Sequence, residues 1–468
     1  MRVEILPSHV ARWNTSVRID ALPPDKSIFH RLLIIGSMSE SKITIPISSI
    51  EEIPSDVFAT ILALESLGVP IEIYRSKIIV QGVGINGFHA PKHQINCANS
   101  GTTARLMMGL LAGQNFSSTL IGDTYLSRRP MKRLADILNN DLGADISTSD
   151  DGTLPILING QKLHSANIEL QVASAQMKSA LLIAGFYADG EVSVTEPLQS
   201  RDHTERMLKA FGKGFTKQGL KNSIYDYHFS TPPEFTYKIP GDFSSAAFLI
   251  GAAVLIKRDL LLMEVGLNNT RARMLPILEA SSATRVKNPN SEPSQKPTHY
   301  ILTVEVWDIR YDPWDEKFGN IDLFASQTSP VKPFIFFDDE APIIIDEIPI
   351  LAAIAAFCNG TTEFKNLREL RKKESDRISS ITKNLKAFGA SLEETEDGFI
   401  VHGNEDFIPA GGIIEHFGDH RIAMALSILA LRAEEAVTIS DAEIVSVSYP
   451  NFYKDLAMIV GKERIRIS

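Results

Sequence analysis

Lys26 and Arg31 in DKSIFHR, Arg105 in NSGTTARL, Lys178 in SAQMKSALL and Arg421 in GDHRIAMA share one setting. Each cation stands within a few residues of the point where a polar stretch turns into an apolar one, and Arg129 lies in GDTYLSRRPM between two such points. If the apolar stretches are helices, their N-termini present unpaired backbone N–H groups and the positive end of the helix dipole, which attract anions. A lysine or arginine beside each terminus adds full charge to the same task, so the set as a whole suits phosphates and carboxylates. A denser run, RELRKKESDR, places eight charged side chains in residues 368–377, shortly after the oily IIIDEIPILAAIAAFCNG. Alone it reads as a solvated helix face with ion pairs such as Glu369 to Lys373.

The elements that must position these groups repeat. Six segments share a short polar or glycine-bearing start followed by an Ala- and Leu-rich run, beginning at Asp25, Asn99, Ser174, Gly241, Asp346 and Gly418. The steps between them are 74, 75, 67, 105 and 72 residues. A spacing near 70 that recurs this often points to internal repetition of one folding unit. Each start offers Ser, Thr, Asn or Asp as a helix cap, and each run is apolar nearly all round, so these helices must be buried. Strand-like runs such as KIIVQGVG and GFIVHGN lie between them, with more polar helices such as DRISSITKNLKAFGA. The pattern is α/β, with three units in each of two domains: 25–240, and 1–24 together with 241–468. The long step contains VKNPNSEPSQKPTHY, a polar, Pro-rich insertion within about 280–340, followed by the strand-like ILTVEVW.

At 468 residues the chain has length for two or three cores, and 44% hydrophobic with 22% charged residues is ordinary for a globular protein. A net charge of −10 argues against a nucleic-acid binder but leaves room for a local cluster of cations. Cys97 and Cys358 form neither a disulfide framework nor a zinc pattern, which fits a reducing cytoplasm. No apolar run of about 18 residues suggests a membrane span, and the start MRVEILPSHVARWN reads as a first strand.

DKSIFHR, NSGTTARL, GDTYLSRRPM, SAQMKSALL, SRDHTERML, PGDFSSAAF, DEIPIL, ELRKKESDR, GDHRIAMA and SYPNF, in this order over nearly the whole chain, make it resemble the enolpyruvyl transferases, specifically the branch acting on shikimate 3-phosphate. The resemblance implies two domains, each of three repeated units of strands around buried parallel helices. It implies transfer of the enolpyruvyl group of phosphoenolpyruvate to the 5-hydroxyl of shikimate 3-phosphate, with release of phosphate and with no metal or organic cofactor. Such a reaction needs many cations for two anionic substrates, a base, an acid and shelter from water. A closing cleft between two domains would supply the shelter.

By matching motif, the resemblance implies that Lys26, Ser27, Arg31, Ser174, Ala175, Gln176, Ser200, Asp346 and Lys373 bind shikimate 3-phosphate. Lys26, Asn99, Gly101, Arg129, Gln176, Arg377 and Arg421 are implied to bind phosphoenolpyruvate. Asp346 would be the base at the 5-hydroxyl and Glu374 would handle the proton at the methylene carbon, with Lys26, shared between both ligands, the third catalytic residue that the resemblance implies. Asp346 without the resemblance reads as a helix N-cap. In RKKESDR, Lys373, Glu374 and Arg377 would share one helix face that forms a cleft wall.

The chain departs from the family's usual residues at Pro24, Phe29, Ala98 and Val447, where Gly, Ser, Gly and Lys are common. The first two would reshape a ligand pocket, and the last would remove one phosphoenolpyruvate contact. The sister branch that acts on UDP-N-acetylglucosamine carries a cysteine in the loop matching GDTYLSRRPM, and there is none here. An inactive homologue would have lost Asp346, Glu374 or the arginines, and all are present. The expected partners are the two small substrates, with no nucleic acid or membrane, and the expected state is a monomer in the cytoplasm.

Overall fold

The computed structural model describes residues 1–8, 16–281, 303–325, 331–336 and 339–468. The chain divides into two compact units: Met1–Leu22, Gly241–Arg310 and Lys317–Ser468 in one, Pro23–Pro240 and Tyr311–Glu316 in the other. The six apolar runs are helices: α1 Lys26–Ser37, α2 Gly101–Ala112, α3 Ala175–Ala184, α4 Phe243–Ile256, α5 Ile348–Ala355 and α6 His420–Leu429. Every residue of α4 and α5 is buried, as their unbroken hydrophobicity demands.

Five of these helices start on a side-chain cap. The carboxylates or hydroxyls of Asp25, Ser100, Ser174, Asp242 and Asp419 each accept a backbone N–H of the first turn. The exception is α5, whose N-cap Glu347 makes no such bond. That corrects the capping role read for Asp346. It lies one residue further out, and its carboxylate is taken by arginines instead.

In the Pro23–Pro240 unit, three four-stranded sheets share one plan: a parallel pair followed by two antiparallel neighbours. One orders Glu234–Thr236, Lys42–Pro46, Lys77–Gln81 and Ile71–Tyr74. The next orders Ile95–Asn96, Ser117–Ile121, Ile156–Asn159 and Asp145–Ser147. The third orders Ala166–Glu169, Val192–Thr195, Lys221–Phe229 and Gly212–Gln218. The buried helices pack closely under them. A Cβ on Gly109 of α2 would stand 2.1 Å from the Ala180 carbonyl oxygen of α3, so only glycine permits that approach. Any larger residue there would force the two helices apart.

The other unit repeats the plan in Gly412–Ile414, Val437–Ile439, Val3–Ile5 and Ile465–Ile467. A second sheet orders Thr303–Tyr311, Lys317–Phe324, Leu260–Gly266 and Val17–Ile19, and a third is a three-stranded antiparallel sheet. The Pro-rich VKNPNSEPSQKPTHY lies outside the described residues. The strand after it pairs with Lys317–Phe324 as a hairpin. Its tip is no surface ornament, since Trp314 and Glu316 are buried.

The charged run also differs from the expected single helix. Arg368–Lys372 is a 3-10 turn, Lys373 is extended, and an α-helix begins only at Arg377. The cause is Asp376, whose side chain accepts the Ser379 N–H and starts a new helix there. In this turn Lys372 lies 3.8 Å from Glu369.

Candidate active site

One cluster is centred on Arg377, buried at the first turn of its helix. Its Nε donates to Asp419 Oδ2 at 2.7 Å, with Nη2 3.5 Å from Oδ1 of the same carboxylate. Its outer edge meets two further carboxylates: Nη1 donates to Asp346 Oδ1 at 3.1 Å and Nη2 to Glu374 Oε2 at 2.5 Å. Burial works against the guanidinium's charge, but Asp419, Glu374 and Asp346 outweigh it and raise its pKa above the ordinary arginine range. Arg421 adds a second guanidinium, with Nη1 on the Asp346 carbonyl at 3.2 Å and Nη2 3.4 Å from Asp346 Oδ2. Asp346 thus lies between two arginines, and Asp419 fixes the rear of one of them.

Three separate elements build this cluster. Asp346 precedes α5, Glu374 and Arg377 flank the Asp376 cap, and Asp419 caps α6 by accepting the Arg421 N–H at 3.0 Å. Glu374 and Arg377 meet across a capped turn rather than along a helix face. Lys373 is half-buried next to them.

The second cluster lies in the Pro23–Pro240 unit. Arg31 on α1 is buried, with Nε on Thr204 Oγ1 at 2.7 Å, Nη1 on the Ser27 carbonyl at 3.0 Å and Nη2 on Ser179 Oγ at 3.0 Å. A weaker contact at 3.4 Å reaches the Ala175 carbonyl. Lys26, at the first position of α1, is held by Asp56 at 2.8 Å. Gln176 accepts from Arg105 Nη1 and donates to Thr102 Oγ1, both at 2.9 Å, which ties α3 to α2.

The buried guanidinium of Arg129 lies over the N-terminus of α2, where a Cβ on Gly101 would come within 2.5 Å of its Nη1. The side-chain oxygen of neighbouring Asn99 is buried with no hydrogen-bond partner among the described residues. Behind them runs a hydrogen-bonded chain from His30 Nδ1 through Thr60 and Thr103 to the Ser100 cap, each link 2.7 Å. Burial, then Lys26 and Arg31, hold the His30 ring well below its ordinary range, so it stays neutral in that chain.

Two expected cations serve other ends. Lys178 is fully buried between Glu196 and Glu205, each at 2.6 Å, so it does not join the anion-binding set. Burial lowers its pKa, but Glu205 and Glu196 more than compensate and leave it raised. Ser200 is buried and donates to Glu196. Arg105 is occupied with Gln176 and the Pro130 carbonyl.

Of the departures, Phe29 is buried in the hydrophobic core. Ala98 adopts a φ of 48°, the left-handed conformation that glycine takes freely. Val447 is buried. The groups that sequence reasoning passed over are Asp419, Ser179 and Thr204. A charged cap at the start of α6 was a visible signal for Asp419, whereas nothing local marked Thr204, 173 residues from Arg31.

Each cluster by itself presents buried cations held by exchangeable oxygen partners, and the Arg377 cluster adds two carboxylates on that arginine's outer edge. That set can bind phosphate and carboxylate groups and move protons beside them. Among the described residues no group of three or more His, Cys, Asp or Glu could hold a metal ion, and no helix is long and apolar enough to cross a membrane.

The family model described as EPSP synthase (3-phosphoshikimate 1-carboxyvinyltransferase) matches residues 11–313 and 323–456. A protein of that name from Endomicrobium trichonymphae is 39% identical over 444 residues, 93% of this chain and 95% of its own length. One from Bacillus cytotoxicus is 38% identical over 94% of this chain and 97% of its own length. Among solved structures, the EPSP synthase of Acinetobacter baumannii aligns with a TM-score of 0.78 at 35% identity, covering 100% of this chain and 99% of that one. The enolpyruvyl transferase NikO of Streptomyces tendae aligns at 0.68 with 14% identity, covering 99% of this chain and 98% of its own, a likeness of fold alone.

Proposed function

This chain belongs to the EPSP synthase family, and from that membership we propose how its two buried charge clusters divide the family's reaction. The chain has the enolpyruvyl transferase fold and is a transferase of the shikimate pathway, on the way to chorismate and the aromatic amino acids. It transfers the enolpyruvyl group of phosphoenolpyruvate to the 5-hydroxyl of shikimate 3-phosphate and releases phosphate. The reading for UDP-N-acetylglucosamine is not favoured.

The observation that carries the division of labour is the Arg377 guanidinium, clamped from behind by Asp419 and edged by Asp346 and Glu374. In our reading Arg377 and Arg421 bind phosphoenolpyruvate together with Arg129, Asn99, Gly101 and Gln176. Arg31, Ser27, Ser174, Ala175, Gln176, Ser200 and Lys373 hold shikimate 3-phosphate, and Lys26 touches both substrates.

Asp346 takes the proton from the 5-hydroxyl as that oxygen attacks. Glu374 takes up a proton from solvent when phosphoenolpyruvate displaces it from Arg377, and gives that proton to the methylene carbon. It recovers one from the resulting methyl when phosphate departs, while the proton held by Asp346 leaves with the phosphate. Each carboxylate starts the cycle bonded to Arg377, so an arriving anion that shares the guanidinium loosens both for proton transfer. Each such acid–base step is worth roughly 10² to 10⁴ in rate. The protein acts as a monomer in the cytoplasm. A phosphate-release assay with both substrates, and with each omitted in turn, tests the reaction: release requires both. Release from phosphoenolpyruvate alone at the full rate would contradict it.

A further inference from the structure

The tip of the 303–324 hairpin grips one helix along its whole length, and that helix holds Arg31. Tyr311–Glu316 belongs to the same compact unit as the His203–Phe211 helix. At the helix's first residue, His203 Nδ1 meets Glu316 Oε1 at 2.6 Å, with both side chains buried. In its middle, Arg206 Nη1 reaches the Asp315 carbonyl and lies 3.5 Å from Asp315 Oδ2. At its last residue, Phe211 packs edge-on against Trp314, with ring centroids 4.9 Å apart. Trp314 is in turn stacked on Tyr237 at 3.4 Å and 9°.

The tip is itself a closed loop. Asp312 Oδ1 accepts the N–H groups of Trp314 at 2.8 Å and Glu316 at 2.9 Å, and Asp312 N donates to the Glu316 carbonyl at 3.1 Å. Its other oxygen, Oδ2, accepts the Tyr237 hydroxyl. Trp314, Asp315 and Glu316 fall within 314–322, the stretch that the family model leaves unmatched.

The helix so held carries Thr204, next to His203. Thr204 Oγ1 accepts Arg31 Nε at 2.7 Å and pairs with Ser179 Oγ at 2.6 Å, and Ser179 Oγ also accepts from Arg31 Nη2. The route from tip to guanidinium is therefore short: Glu316 to His203, one peptide unit to Thr204, then Arg31. We infer that the hairpin tip is a positioning device for the shikimate 3-phosphate site, in which Glu316 and Trp314 set the Thr204 hydroxyl and hence the Arg31 guanidinium. This rests on the assignment of Arg31 to shikimate 3-phosphate.

Displacing a binding group by even an ångström is costly, so Glu316→Ala should raise the KM for shikimate 3-phosphate about tenfold. The KM for phosphoenolpyruvate should stay within about twofold and kcat should be retained, because neither the Arg377 cluster nor the proton groups are touched. Glu316→Gln keeps the length and an acceptor oxygen for His203, and should restore most of the affinity.

The decisive comparison is a double-mutant cycle of Glu316→Ala with Arg31→Ala. If the tip acts through Arg31, Glu316→Ala adds nothing further once Arg31 is gone. Full additivity, or a lowered Tm with the KM for shikimate 3-phosphate unchanged, would overturn the inference and leave the tip as scaffold. If Arg31→Ala itself leaves that KM unchanged, the underlying assignment fails instead. Should Glu316→Ala not fold, Glu316→Gln and Trp314→Phe, each run in both backgrounds, read the same coupling.

Discussion

Replacing Asp419 with asparagine isolates the rear anchor of Arg377. The substitution keeps volume, keeps a good N-cap for α6 and leaves Asp346 and Glu374 in place. It removes a fully buried charge whose two oxygens lie 2.7 and 3.5 Å from the guanidinium, and offers one neutral acceptor instead. A hydrogen bond to a charged group is worth about 1.5–3 kcal/mol, and the two remaining carboxylates prevent the full loss of a broken buried pair. For units of this size that loss lowers Tm by about 3–12 °C.

The guanidinium then gains freedom on the side away from its outer edge. The KM for phosphoenolpyruvate should rise about 10- to 100-fold, the same free energy expressed as affinity. The KM for shikimate 3-phosphate should move little. The assay is phosphate release against phosphoenolpyruvate at saturating shikimate 3-phosphate, beside a melting curve. A lowered Tm with the phosphoenolpyruvate KM within twofold of wild type would refute the reasoning, making Arg377 a structural ion pair.

Further outcomes follow from Lys178, the two cysteines and Ala98. Lys178→Met removes the cation shared by Glu196 and Glu205, leaving Lys217 at 3.8 Å from Glu205 as a weak substitute. It should cost about 3–5 kcal/mol in denaturant melts, while KM values of the folded fraction stay unchanged. Because the folded-state pKa of Lys178 is raised, the stability from this lysine is complete below its ordinary value near 10.5 and is lost only as pH rises above it, so melts between pH 6 and 9 should show no loss from this source. Burial pushes the Cys97 and Cys358 thiols up to about 12, leaving on the order of 10⁻⁴ as thiolate at pH 8, so a thiol reagent should label neither until the protein unfolds. Ala98→Gly removes the cost of a left-handed alanine and should stabilise the protein by up to about 1 kcal/mol, whereas Ala98→Val should melt earlier.

Sequence reading reached what is local and stopped where pairing is long-range. Five of the six helices were legible because a capping Asp or Ser and an unbroken apolar run are written within a dozen residues, and α5 by its apolar run alone. The α5 cap was misjudged because Asp346 and Glu347 are adjacent and either fits the pattern. Arg377 cancels the simple cap reading only through its side chain, 31 residues later. Lys178 looked like its neighbours at helix starts, and its partners, 18 and 27 positions on, come from a strand end and another helix. The charged run was read as one helix because i,i+4 spacing says nothing of Asp376 starting a new one. The hairpin tip was the least legible, since His203 and Glu316 are 113 residues apart and the burial of Trp314 depends on Tyr237 and Phe211.

The central claim is that Asp346 is the base that the two arginines hold in place. Steady-state kinetics of Asp346→Asn tests it most directly, because the amide keeps the shape and loses the proton chemistry. The account predicts a kcat lower by about 10² to 10⁴ with both KM values within about threefold. A kcat within about threefold of wild type would contradict it and reduce Asp346 to one more carboxylate that neutralises Arg377.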